Sequence, residues 1–383
     1  MRQKNVLIAI PVLLVGGTEM QTLNLVRVLL IAGYQVTVCC YYEFESSMVS
    51  KMERTGAKVI LMKLKRSDGM LSLIGKLKKI VNELQPDIVH VQYIAPGFVP
   101  IVAARLSGIR TVFATVHQPG RIYGWKARLL VRVASHLCTA FFCNSKSVEE
   151  SWFGDGEVFS SNKLDLKRKH FTIYNGVRVT NIESIVKEAD VQKIKKALNI
   201  ENKKIIGVVG RLRSEKGQAV LLNAMVDVIK VFPDSMLLVV GDGPDRAHLE
   251  QMAKKLGIDS HVVWLGQKDQ NEVFQLYSIM DLVVVPSLFE GFGLSAAEAM
   301  AAGLPVVGTR VDGLTELIEE GVTGHTFPIK DSSELAQTVV QLLKDPAKAK
   351  AMGQQGHERV EEIFSLERFA ELTIAAYRYF TDL

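Results

Sequence analysis

Val283-Val-Val-Pro-Ser-Leu-Phe-Glu290-Gly-Phe-Gly-Leu-Ser-Ala-Ala-Glu298-Ala-Met-Ala-Ala302 is the segment on which the fold reading turns. An apolar run over 282–285 reads as a buried strand, and Pro286 ends it. Gly291 and Gly293 permit close backbone approach and positive φ, and a helix is expected to begin near Leu294. Free N–H groups at such a helix start bind anions or sugar hydroxyls. Glu290 stands on the loop and Glu298 about one turn into the helix. Two carboxylates that accept hydrogen bonds from vicinal hydroxyls suit recognition of a polyol. Taken alone, the pair reads equally well as a surface loop charge and a helix-dipole stabiliser.

The same strand–loop–helix unit repeats along the chain. Strands are expected over 6–10, 35–40, 87–91, 111–115 and 140–144, with helices over 19–32 and 71–84. The pattern restarts at 205–209, then 236–240, 262–265, 282–285 and 305–308. Continuous apolar strands separated by helices indicate a parallel sheet covered on both faces. Each half therefore reads as a doubly wound α/β domain whose ligands bind beyond the carboxyl ends of the strands. Residues 160–170 read as a basic irregular loop, and 177–200 as a linker plus a leading helix. A last helix is expected over 366–383.

Three further strand-end loops carry chemistry. Gly210-Arg-Leu-Arg-Ser-Glu-Lys-Gly217 places Arg211 and Lys216 where they can neutralise a diphosphate, the arginine by directed hydrogen bonds and the lysine as a point charge. Gly16-Gly17 opens a helix after the first strand without the dinucleotide fingerprint G-x-G-x-x-G. His117 follows the strand over 111–115. Gly241-Asp-Gly-Pro244 reads as a structural tight turn.

With Asn175-Gly-Val preceding the second half, these loops and the E-x7-E spacing from Glu290 to Glu298 resemble the retaining glycosyltransferases of family 4, the group 1 type. The resemblance covers essentially the whole chain. It implies a GT-B fold, an α/β architecture of two doubly wound parallel-sheet Rossmann-like domains facing each other across a cleft. Residues 1–178 would form the acceptor-side domain, completed by the helix over 366–383, and 179–365 the nucleotide-sugar domain.

By the same resemblance, Arg211 and Lys216 would bind the donor diphosphate and stabilise the leaving group. Glu290 would contact the donor sugar. The backbone of Gly291, Phe292, Gly293 and Leu294 would hold its hydroxyls and the phosphates. Glu298 would bind the ribose hydroxyls, Gly266 and Gln267 would flank the base, and Gly16 and Gly17 would approach the diphosphate. His117 would position a donor hydroxyl or the reacting groups. Gln118-Pro-Gly follows it where family members often continue with a second histidine or an aspartate. No D-x-D triad occurs in the sequence, so no cofactor and no metal are expected, and cationic side chains with helix dipoles would stabilise the departing charge.

At 383 residues, with 48% hydrophobic and 23% charged side chains, the composition suits two globular domains. Residues 1–178 hold 24 Lys and Arg against 12 Asp and Glu, a net +12, and the remainder 22 against 29, a net −7. The basic half is expected to meet something anionic. Lys63, Lys65, Arg66, Lys76, Lys78 and Lys79 make one cluster. Arg121, Lys126, Arg128 and Arg132, interleaved with Ile122, Tyr123, Trp125, Leu129, Leu130 and Val131, make another with the character of an interfacial amphipathic segment. A solvated basic face is the plain alternative.

Cys39, Cys40, Cys138 and Cys143 show no metal-ligand spacing and read as reduced, buried small hydrophobes, in keeping with a cytoplasmic location. The apolar run over 6–15 is too short to span a bilayer. The expected activity is retaining transfer of a hexosyl or N-acetylhexosaminyl group from a nucleotide-sugar, a UDP-sugar first, to a glycan, lipid-linked or small-molecule acceptor in cell-envelope or polysaccharide biosynthesis. An anionic surface on the inner face of the membrane is the further partner expected. A nucleotide-sugar epimerase of the same fold is the alternative. A nucleic-acid-binding protein is the more distant one, and no helix-turn-helix, zinc-finger or RNP signature supports it.

Overall fold

The computed structural model describes residues 3–92, 98–161 and 168–381. The chain divides into two compact units, one of residues 1–176 with 366–383, the other of 177–365. The division falls after Gly176 rather than after 178.

In the first unit, seven strands form an all-parallel sheet: β1 (Asn5–Ile10), β2 (Gln35–Cys40), β3 (Lys58–Leu61), β4 (Ile88–Gln92), β5 (Thr111–Val116), β6 (Ala140–Cys143) and β7 (His170–Thr172), in the order β3-β2-β1-β4-β5-β6-β7. Central β1 buries Val6 to Ile10 completely, which explains why its sequence is continuously apolar. Neighbouring Cys39 and Cys40 point to opposite faces, one into each of the unit's two hydrophobic clusters, as the two-residue period of a strand requires. Burial pushes both thiols up to about 12, so they stay protonated and act as packing groups.

The second unit carries six parallel strands: β8 (Lys204–Val209), β9 (Ser235–Val240), β10 (Val262–Gly266), β11 (Leu282–Val285), β12 (Val306–Thr309) and β13 (Gly324–Phe327), in the order β10-β9-β8-β11-β12-β13. Strand order reverses between β8 and β11, and that is the topological switch point of the sheet.

The structure differs from the sequence reading in two places. β3, β7 and β13 are sheet members that the reading omitted, because runs of three or four residues carry no usable period. The 177–200 segment folds into two helices, Val179–Glu188 and Val191–Ala197, rather than a linker and one helix. In the basic 160–170 stretch the described residues 160, 161, 168 and 169 lie outside helix and strand, His170 opens β7, and Arg168 pairs at 2.7 Å with the buried carboxylate of Glu149 and with the exposed one of Asp155. The rest of that stretch, 162–167, lies outside the described residues.

The Leu366–Thr381 helix returns to the first unit, burying Leu372, Ala376 and Tyr377. Its Tyr377 hydroxyl meets His90 Nδ1 at 2.6 Å, and His90 Nε2 meets Thr115 Oγ1 at 2.7 Å. The imidazole is packed between Phe113, Phe142 and Tyr377, and burial pushes its pKa down to about 3. Between that value and the ordinary 6.5 of an unfolded histidine, only the unfolded chain takes up the proton. Stability should therefore fall as pH drops below about 6.5, and melting temperatures read from pH 7.5 to pH 5 should show it. His90→Gln should lower the melting point at pH 7.5 yet flatten the acid slope.

Candidate active site

The loops that follow β8 and β11 face each other because those strands are neighbours at the switch point. Their approach is very close. Gly217 has φ +67°, and a Cβ there would lie 2.0 Å from the Pro286 carbonyl oxygen. Leu288 N–H donates to the Glu215 carbonyl at 2.8 Å, which ties the loops backbone to backbone. Above this seam the Lys216 ammonium pairs with Glu290 Oε1, and Ser287 Oγ donates to the same oxygen at 2.9 Å. Glu290 is only 12% exposed and Lys216 32%, so the pair is much less screened than a surface ion pair. Two predicted residues 74 positions apart in sequence are thus joined directly.

Arg211 lies on the exposed side of the first loop, while Leu212 is buried and anchors it. The Gly241–Pro244 turn braces that loop from behind. A Cβ on Gly241 would stand 2.0 Å from the Gly210 carbonyl, and Leu212 N–H donates to the Asp242 carbonyl at 3.0 Å. The Gly266 carbonyl accepts from Gly241 N–H at 2.8 Å, and Gln267 beside it is exposed.

Past Glu290 the chain enters the Leu294–Ala301 helix, capped by Gly293 at φ +95°. A Cβ on Gly293 would come within 2.5 Å of Leu314 Cδ2, so both conformation and space require glycine here. Phe292 is buried, its ring edge-on to Phe364 with 5.5 Å between centroids. It therefore offers the site only its backbone. Leu294 stands partly exposed at the helix start, and Gly291 is buried beneath the loop.

Glu298 keeps partial exposure, but protein surrounds its carboxylate. Burial raises its pKa to about 7, against the lowering effects of a Gln270 hydrogen bond and the positive charge of Arg178. Neither of those two residues was singled out from sequence. Both sit at the starts of helices whose apolar periodicity, rather than their polar first residues, marks them.

In the first unit, Gly16 caps the Gly17–Ile31 helix in extended backbone, and Gly17 is exposed at its N-terminus. His117 lies just beyond β5 and is 8% exposed. Its Nε2 meets Gln92 Oε1 at 2.8 Å, and its carbonyl accepts from Asn144 Nδ2 at 3.2 Å. Burial pushes its imidazole down to about 3. Near neutral pH it is an uncharged ring that donates through Nε2–H to Gln92 and carries its lone pair on Nδ1. A cavity lined by Gln92, His117, Asn175, Phe369 and Thr373 adjoins it.

The second basic cluster divides in the structure. Val131 is buried and Tyr123 packs on Trp152, 5.4 Å between centroids. Trp125, Leu129, Leu130 and Val133 instead lie on the open face of the Trp125–Leu137 helix, with exposures of 71, 55, 44 and 48%. Among the described residues no helix is long and apolar enough to cross a membrane.

Residues 190–359 match the family described as Glycosyl transferases group 1, and residues 15–179 match Glycosyltransferase Family 4. The chain is 31% identical over 304 residues to the N-acetyl-alpha-D-glucosaminyl L-malate synthase of Bacillus anthracis, covering 78% of this chain and 76% of that one. It is 35% identical over 199 residues to the D-inositol 3-phosphate glycosyltransferase of Corynebacterium urealyticum, covering 50% and 47%. Among solved structures, Anabaena HepE in complex with UDP and glucose superposes with a TM-score of 0.82 at 21% identity, covering 98% of this chain and 100% of that one.

Gly217→Ala tests the seam between the loops. The added methyl must move the Pro286 carbonyl and hold an unfavourable φ, costing roughly 2 kcal/mol or more. Urea unfolding should report that loss, whereas Ala at exposed, unobstructed Gly124 should change stability by less than about 1 kcal/mol.

Proposed function

The chain belongs to the family 4, group 1 glycosyltransferases of GT-B fold, and from that premise we propose that it transfers a hexosyl or N-acetylhexosaminyl group from a UDP-sugar with retention of anomeric configuration. The observation that carries this reading is the Lys216–Glu290 pair at the β8/β11 switch point. A cation for the diphosphate and a carboxylate for the sugar hydroxyls stand side by side there, in a partly desolvated setting.

In this reading Arg211 and Lys216 grip the diphosphate and stabilise the charge that develops on it as the glycosidic C–O bond breaks. The first N–H groups of the Leu294–Ala301 helix add their dipoles, so the step proceeds without a required metal ion. Glu290 orients the donor sugar, Glu298 accepts hydrogen bonds from the ribose hydroxyls, and Gly266 with Gln267 flanks the base. The resemblance to the family assigns Gly16 and Gly17 a diphosphate contact through their N–H groups. His117, held neutral, accepts a hydrogen bond from a hydroxyl rather than acting as a cation.

The acceptor hydroxyl attacks on the face that the diphosphate leaves. Its proton passes to the departing phosphate oxygen, giving the glycoside and the nucleoside diphosphate. Glu290 is a poor covalent nucleophile because one of its oxygens is engaged by both Lys216 and Ser287. Bound UDP and glucose in the structural neighbour, and the N-acetylglucosaminyl product named for the Bacillus relative, support this donor class.

For the acceptor, we favour a lipid-linked or envelope glycan reached at the inner face of the membrane. The support is the Trp125–Leu137 helix, whose apolar side chains at 125, 129 and 133 repeat every fourth residue on its exposed face, with Lys126 beside Trp125. A soluble surface normally buries such a stripe, whereas an interfacial helix inserts it beside basic residues that attract anionic headgroups.

Three measurements test these statements. UDP-hexoses or UDP-N-acetylhexosamines should raise the melting temperature, and Glu290→Gln should cut transfer at least tenfold. The absence of any shift with UDP-, GDP- and ADP-sugars would remove the donor proposal. Vesicles containing anionic lipid should retain the protein in flotation, and Trp125→Glu with Leu129→Glu should release it. Equal recovery on neutral and anionic vesicles would refute the electrostatic part.

A further inference from the structure

Arg178 and Gln270 have no part in the donor reading above, yet the second unit places them in line with Glu298. Arg178 stands at the cap of the Val179–Glu188 helix, and its Nη2 donates to Gln270 Oε1 at 2.9 Å. Gln270 is the first residue of the Gln270–Tyr277 helix, and its side chain hydrogen-bonds the Glu298 carboxylate. With the amide oxygen engaged by the guanidinium, the amide NH2 is the end that donates to the carboxylate. A glutamine suits this post because it accepts at one end and donates at the other; glutamate there would repel Glu298.

We propose that Arg178, acting through Gln270, is a positioning residue for nucleoside recognition, fixing the Glu298 carboxylate in the orientation and the ionised state that accept both hydroxyls of a ribose. The inference rests on the reading of Glu298 as the ribose contact. An ionised carboxylate presents two acceptor oxygens to a vicinal diol, whereas a protonated one must spend an oxygen as a donor.

The surroundings leave Arg178 as the cation that acts on Glu298. Strands β11 and β12, packed beneath the Leu294–Ala301 helix, carry no titratable side chain. The Asp312–Leu317 helix brings Asp312 and Glu316, both acidic, so neither supplies a cation. The Pro346–Ile363 helix brings His357, whose ring bonds the Ala301 carbonyl at the far end of that helix. Tyr277 is buried and held neutral, its hydroxyl on the Ser295 carbonyl at 3.4 Å. Beyond Arg178, the Val179–Glu188 helix carries Glu183, Lys187 and Glu188. With burial already lifting the carboxyl to about 7, removing the guanidinium must lift it further and lower the ionised fraction near neutral pH.

Calorimetric titration with UDP and with 2′-deoxy-UDP, from pH 6 to pH 9, tests the relay in the wild type, Arg178→Met, Arg178→Lys and Gln270→Leu. Wild-type affinity for UDP should weaken as pH falls through about 7. In Arg178→Met the midpoint should move up, and a rise of about one pKa unit makes UDP bind about threefold more weakly at pH 7.5, with recovery towards pH 9. Gln270→Leu should lose the preference for UDP over 2′-deoxy-UDP, and Arg178→Lys should restore most of the wild-type profile. An Arg178→Met midpoint equal to the wild type, or a loss of equal size at pH 7.5 and pH 9, would overturn the relay while leaving the donor site intact. If the wild type binds none of UDP, GDP and ADP, the donor reading fails, and the relay fails with it.

Discussion

Everything proposed for the second unit depends on one steric condition: the loop after β8 must lie directly on the loop after β11. Gly217 meets that condition by presenting no side chain to the Pro286 carbonyl. With the two backbones in contact, and Leu288 hydrogen-bonded to Glu215, a lysine from one loop and a glutamate from the other become neighbours. A larger residue at 217 would separate them, and neither charge would then have a partner to hold it. The sheet supplies the other half of the condition, because parallel strands adjacent at a switch point send their following loops to the same edge.

The electrostatics follow from that packing. Lys216 and Glu290 are too enclosed to behave as a surface pair, and removing either partner alone would leave a poorly solvated charge. Glu298 shows the complementary case, a carboxylate whose ionisation is opposed by burial and supported from outside by Arg178 and Gln270. His117 differs from both. Burial keeps its ring neutral near pH 7, and its chemistry is that of a hydrogen-bonding group. Glu298 and His117 thus reach different states through the balance of burial and neighbouring charge.

Much of this was legible in the sequence because it is local. Apolar strands of five or six residues followed by Gly-rich loops announce parallel α/β units, and the E-x7-E spacing puts both glutamates at one helix start. What escaped has a common physical cause. β3, β7 and β13 derive their strand identity from pairing with neighbours rather than from their own three or four residues. Phe292 belongs to the predicted loop, but its ring turns inward because Phe364 is there to receive it. His90 and Tyr377 meet across 287 positions of sequence, and Arg178 and Gln270 across 92. No periodicity can report such encounters, since each partner looks ordinary where it stands.

The charge asymmetry is a different kind of sequence signal, and the structure refines what it can mean. Basic residues in the first half do not act as one block. Arg168 is drawn into a pair with the fully buried Glu149, and Arg66 is bound at 2.8 and 2.9 Å by Glu43. Arg128 and Arg132 direct their Nε atoms at backbone carbonyls of Gly120 and Trp152, so part of their donor capacity serves the fold. Long-range attraction survives such local bonding, because a hydrogen bond to a carbonyl neutralises no charge. What distinguishes the Trp125–Leu137 helix is therefore its exposed apolar stripe rather than its arginine count. A basic surface alone attracts any polyanion, whereas a basic surface beside exposed Trp125, Leu129 and Val133 favours a partner that is anionic outside and apolar beneath. A lipid surface has that layering, and a nucleic acid does not.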